Sequence, residues 1–101
     1  MNEAQRMHLR LHDALRAGDL EGARHALGNP IDFANARDGY LNIPVLSYAI
    51  GLAPIEFVRT LLEAGADPDA RTRIDDFATP LEEALRFGWD DAVRALQAQR
   101  R

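Results

Sequence analysis

The sequence predicts an all-α protein made of three stacked helix–turn–helix units joined by short hairpins or loops. Three observations carry that reading. The segments Leu11-His12-Asp13-Ala14-Leu15, Leu46-Ser47-Tyr48-Ala49-Ile50 and Leu81-Glu82-Glu83-Ala84-Leu85 share one pattern, and their alanines recur every 35 residues. The register holds downstream without a gap: Gly18, Ala53 and Gly88 form one column, Glu21, Glu56 and Asp91 another, and Ala26, Leu61 and Leu96 a third. Within each unit the apolar residues fall at helical spacing, as in Leu46, Ala49, Ile50 and Ala53.

Each element follows from its residues. The first helix extends upstream through Ala4, Met7, Leu11, Ala14 and Leu15, from about Asn2. The small residue closing each first helix marks a tight turn. Pro54 suits the first turn of the following helix, where a missing N–H costs nothing. Val58, Leu61 and Leu62 make that helix's buried stripe, and Gly65 offers the left-handed conformation that ends it. Glu56 and its equivalents lie in a first turn, where the helix dipole favours negative charge. Thr79-Pro80-Leu81-Glu82 reads as a capping box with Pro at the first helical position, whereas Ile43-Pro44-Val45 lacks the hydroxyl. The segments 35–43 and 69–78 are rich in Asp, Asn, Gly and Arg and read as loops or short hairpins. Approximate unit boundaries are 5–39, 40–74 and 75–101, within a single domain spanning 1–101.

At this point the chain resembles the ankyrin repeat family. Thr79-Pro80-Leu81 with Ala84 and Gly88 is similar to that family's Thr-Pro-Leu-His-x-Ala…Gly signature, and Leu61-Leu62-Glu63-Ala64-Gly65-Ala66-Asp67 to its Leu-Leu-x-x-Gly-Ala-Asp ending. The resemblance covers nearly the whole chain. It departs in three ways: the spacing exceeds the usual ~33, the His column reads His12, Ser47, Glu82, and the first copy ends in Gly28-Asn29-Pro30-Ile31-Asp32. The resemblance implies a solenoid with β-hairpin or loop connections that serves as a protein-interaction module. Asp90 and Gln97 replace apolar residues of the earlier copies and read as a solvent-facing cap, so a complete three-repeat protein is expected.

Composition excludes several function classes. The net charge is −4 and the pI near 5.2, without the clustered positive charge that nucleic acid or an anionic membrane requires. All twelve basic residues are Arg, so a P-loop lysine and Schiff-base chemistry are absent. With no Cys there is no thiol nucleophile, thiolate metal site or disulfide. No apolar run forms a signal peptide or spans a bilayer, and a cytoplasmic location is expected.

Catalytic and metal motifs fail on inspection. His8 and His12 stand at i, i+4, but Leu9 occupies the position where a zincin carries Glu; one exposed and one structural histidine is the expectation, with His25 on the surface. Asp67-Pro68-Asp69 begins like a calcium loop but continues into Arg71 and Thr72. Asp75-Asp76, Glu82-Glu83 and Asp90-Asp91 read as solvated loops or helix N-termini. Ser47, the only serine, lacks a Gly-flanked elbow. No enzyme activity, cofactor or metal is expected.

The candidate partner-binding residues are those that the core does not explain. A second stripe on each first helix holds Val45, Tyr48 and Leu52 in copy two, Pro80, Glu83 and Phe87 in copy three, and Arg10, Asp13 and Ala17 in copy one. The family resemblance places this stripe on the concave side beside the hairpins. Tyr40, Leu41, Ile74 and Phe77 are large apolar residues in segments expected to project into water. The proposed protein-binding set is therefore Tyr40, Leu41, Tyr48, Leu52, Ile74, Phe77, Glu83 and Phe87. Alternatives stand beside it: Leu52 and Phe87 pack between units, Tyr40 or Phe77 folds back over the core, and Trp89 fills the gap left by Asp90. Expected roles are an adaptor or inhibitor of one protein partner, with self-association as a monomer or weak homodimer the alternative. Small bacterial members of the resembled family suggest a narrower form, an immunity or antitoxin partner of a neighbouring enzyme.

Overall fold

A computed structural model of the chain describes residues 1–72 and 78–99. Among these residues the architecture is all-helical, with α1 Glu3–Ala17, α2 Leu20–Ala26, α3 Val45–Ala49, α4 Ile55–Glu63, α5 Pro80–Phe87 and α6 Asp90–Gln99, plus a 3₁₀ turn at Phe33–Asn35. The helices come in three pairs, one per sequence unit. α1 packs on α2, α3 on α4 and α5 on α6. Across the pairs α1 meets α3, α3 meets α5, and α4 meets α6. No helix is long and apolar enough to cross a membrane among the described residues.

The repeating alanines sit at these joints. Ala14, Ala49 and Ala84 are all buried, because a methyl group is the largest side chain that lets neighbouring helices approach closely. Ala26, Leu61 and Leu96, the third column, are buried as well. Val58, Leu61 and Leu62 supply the core face of α4, as their spacing predicts. Asp90 and Gln97 are exposed. One apolar column breaks: Leu15 and Ile50 are buried, but their equivalent Leu85 is 60% exposed, since no described element packs over it.

Local signals account for the ends of α1 and α5. Asn2 caps α1 and Thr79 caps α5, each in a reciprocal capping box, with Gln5 and Glu82 respectively. Gly18 and Gly88 close the two helices in the left-handed region, at φ 69° and 67°. The middle unit differs. α3 spans only 5 residues, begins at Pro44 without a side-chain cap, and gives way to a turn whose positive φ (92°) falls on Gly51 rather than on Ala53. Pro54 sits one position outside α4, as its N-cap. Glu21, Glu56 and Asp91 all lie in first turns as expected.

The segment 36–45 forms a tight hairpin. Arg37 and Pro44 make an isolated antiparallel bridge, the Asp38 N–H donates to the Ile43 carbonyl at 3.1 Å, and the Val45 N–H donates to the Ala36 carbonyl at 2.9 Å. Asn35 ties this connection to the next one: its amide donates to the Gly65 carbonyl at 3.0 Å, and its carbonyl accepts from the Asp67 N–H at 2.8 Å.

Candidate partner-binding surface

The hairpin is organised around one carboxylate. Asp38, buried at its base, accepts hydrogen bonds from the N–H groups of Tyr40, Leu41 and Ile43 at 2.9–3.3 Å. Its Oδ2 also lies 3.2 Å from His8 Nδ1, which joins the hairpin to α1. Burial alone pushes the Asp38 carboxyl up, yet the bonds from Ile43, Leu41, His8 and Tyr48 outweigh it and hold the group below the usual carboxylate range. An ionised carboxylate only accepts, so Nδ1 of His8 carries the hydrogen that points at Asp38.

Around this contact four rings gather from three elements. The His8 ring centroid is 4.4 Å from His12, 5.3 Å from Tyr40 and 5.5 Å from Tyr48, and His12 lies 5.3 Å from Tyr48. The Tyr48 hydroxyl is 3.2 Å from His8 Nδ1. Burial, then the Asp38 charge, drive the Tyr48 hydroxyl far above its ordinary pKa, so it stays protonated. Burial, then the neighbouring His8 and Arg16, push the His12 imidazole below its ordinary value. His12 Nε2 is buried without a hydrogen-bond partner among the described residues.

These positions correct parts of the sequence reading. Tyr48, expected at a partner interface, is only 8% exposed, because His8 and His12 of α1 cover its ring. Val45 and Pro80 of the same stripe are fully buried. Leu52 is half-buried and packs on the core. The Glu83 side chain is largely covered and lies 3.6 Å from Arg86. The stripe is solvent-facing in copy one, where Arg10, Asp13 and Ala17 are exposed, and in the later copies it is covered at Val45, Tyr48 and Pro80 but open at Phe87. His8, expected on the surface, is instead largely covered and carries the α1–hairpin contact. No spacing rule pairs it with Asp38.

Two expected residues do reach solvent. Tyr40 at the hairpin tip is 43% exposed, with its hydroxyl accepting from Gln5 Nε2 at 3.3 Å. Leu41 beside it is half-buried. Phe87 is 59% exposed, with its ring close beside Gly51: a Cβ built on Gly51 would stand 3.1 Å from Phe87 Cε2. Ile74 and Phe77 fall outside the described residues.

Phe87 also walls an open groove of about 340 Å³ between the second and third pairs, with Gly51, Ala53, Gly88 and Trp89. A cleft of similar size, about 320 Å³, occupies the joint between the first and second pairs, lined among others by Ala17, Gly18, Pro54 and Phe57. One repeat step of 35 residues relates parts of the two linings: Gly18 and Pro54 of the first correspond to Ala53 and Trp89 of the second. Trp89, expected to fill a gap, is half-buried against the core and also lines the groove beside Phe87. Among the described residues no cluster of three or more potential ligands could hold a metal ion. No protein-family model and no curated protein matches the chain.

Proposed function

We propose that the chain is an ankyrin-type repeat solenoid that binds a protein partner, as an adaptor or inhibitor, through the hairpin tip at Tyr40 and Leu41 and the groove at Phe87. Three helix pairs at a 35-residue repeat, with an alanine of each unit buried at a helix joint, support the architectural half of that reading. The observation that carries the functional half is aromatic surface left in water. The chain buries Phe33, Tyr48 and Phe57 almost completely, yet leaves Tyr40 and Phe87 exposed. Solvent-facing aromatic rings beside charged neighbours are typical of the residues that anchor protein interfaces.

The test is capture of the partner from native lysate by the parent chain and by Tyr40→Ala and Phe87→Glu. Both variants should lose the partner while melting within a few degrees of the parent. Variants that unfold would return these rings to the core, and undiminished capture would remove them from the interface.

A second reading, self-association, is favoured by Leu85, which remains exposed where Leu15 and Ile50 are covered. Sedimentation at high concentration separates the two: Leu85→Arg should abolish any dimer, and a monomer at all concentrations dismisses this reading.

A further inference from the structure

The joint between α1 and the hairpin is built from two histidines, a buried carboxylate and a buried tyrosine. We propose that the His8–His12 pair, held between the Asp38 hairpin and Tyr48 of α3, is an acid-sensitive latch: a second proton on the pair releases the 36–45 hairpin from α1 while the helices stay folded. This inference does not depend on what the hairpin binds.

Geometry makes the first argument. With ring centroids 4.4 Å apart, two imidazolium charges would repel at close range in a partly buried setting, where water screens weakly. The two rings are not equivalent. His8 Nδ1 has a carboxylate oxygen at 3.2 Å; among the described residues His12 has no hydrogen-bond partner at its buried Nε2. A proton added at that nitrogen would be a desolvated, unpaired donor.

The surroundings do not supply a second counter-charge at hydrogen-bond distance. On α1 itself His12 faces His8 and Arg16, which oppose its protonation, and Asp13, which favours it more weakly. From the hairpin it faces Asp38, whose oxygens are already engaged by three backbone N–H groups and His8. From α3 it meets the ring of Tyr48, which stays neutral. No charge on α2 is among those acting on it.

The sign follows. A histidine whose pKa is lower folded than unfolded binds its proton more tightly in the open form. Its contribution is complete above the ordinary imidazole range and is lost as pH falls through the lowered value. The element with least to lose opens first. The hairpin is held to α1 by His8–Asp38 and by the weaker Tyr40–Gln5 contact, whereas α4 and α6 are anchored by buried Val58, Leu61 and Leu96. Local opening below the free energy of global unfolding is the expected outcome.

The experiment uses the full chain, labelled with nitrogen-15, and compares amide-exchange protection between about pH 7.5 and about pH 5, the interval over which histidine changes charge. Protection of the Tyr40, Leu41 and Ile43 amides, all donors to Asp38, should fall by roughly tenfold or more, with Val58, Leu61 and Leu96 unchanged. His12→Gln should abolish that difference. Three results would overturn the latch: hairpin protection that ignores pH, hairpin and helix amides weakening together, or an unaltered pH response in His12→Gln. Should His12→Gln fail to fold, the imidazole titration of the parent chain decides. Hairpin opening that tracks the His12 ring resonance supports the latch, and opening that tracks another group contradicts it.

Discussion

Helices α3 and α5 occupy the same place in successive units, yet different forces form them. α5 has Thr79 and Glu82 in a capping box, Pro80 in its first turn and Gly88 in the left-handed region at its end. Each signal is local and acts before any tertiary contact exists. α3 has none of these: it is 5 residues long, uncapped, and gives way to a turn at Ile50. A helix that short does not nucleate in isolation. What α3 has is burial, with Val45, Leu46, Tyr48 and Ala49 all inside. The outer helix is specified by its own sequence and the middle one by its neighbours.

Core truncation should break that comparison most sharply. Leu46→Ala removes a buried side chain from a helix held only by packing and should cost about 2–5 kcal/mol. Leu85→Ala, at an exposed position of α5, should stay within about 0.5 kcal/mol. Chemical denaturation of both variants checks the contrast; equal losses would mean that α5 also depends on contacts at Leu85.

Next in size is the hairpin that leads into α3. Asp38→Asn replaces two accepting oxygens by one and turns an N–H toward backbone donors, at a cost of about 2–3 kcal/mol. Because the Asp38 carboxyl is held below its unfolded value, its contribution is complete above the ordinary carboxylate range and disappears as pH falls through the lowered one. The deficit of Asp38→Asn relative to the parent should therefore be full at neutral pH and shrink in strong acid. A deficit independent of pH would contradict the ionised, multiply bonded carboxylate.

The turns that end the two helices come next. Gly51→Ala places a Cβ at positive φ and 3.1 Å from the Phe87 ring, so a loss of about 1–2 kcal/mol is expected. Gly88→Ala meets the same backbone strain with open space around it and should cost about 1 kcal/mol. Only the first should also shift Phe87, read from its ring proton resonances. Last, Thr79→Ala removes the α5 cap and should cost about 1 kcal/mol, several degrees of melting temperature for a domain of this size.

Much of the helical layout could be read from the residues because it depends on short-range rules. The 35-residue alanine column, the capping box at Thr79 and the acidic first turns each need only fixed spacing and residue type, whereas the box that Asn2 makes with Gln5 is seen only in the structure. The short α3 was harder to see. Leu46, Ala49, Ile50 and Ala53 are all buried at helical spacing, but the helix ends at Ala49, and spacing does not distinguish a helix from a helix followed by a buried turn. The candidate surface was read in part. Tyr40 and Phe87 stand in water. Tyr48 does not, because its exposure is set by two histidines more than thirty positions away. The His8–Asp38 contact left no local trace, since a carboxylate that organises a hairpin and also reaches another helix looks in sequence like any polar loop residue.

The most direct measurement is hydrogen exchange at the Ile50 amide, which donates to the Leu46 carbonyl across the end of α3. If α1 and α5 hold α3 between them, this amide exchanges only through global unfolding, with protection matching Leu61 of α4. Exchange as fast as that of a frayed terminus would show an α3 that is not clamped by its neighbours, and would contradict the stacked arrangement.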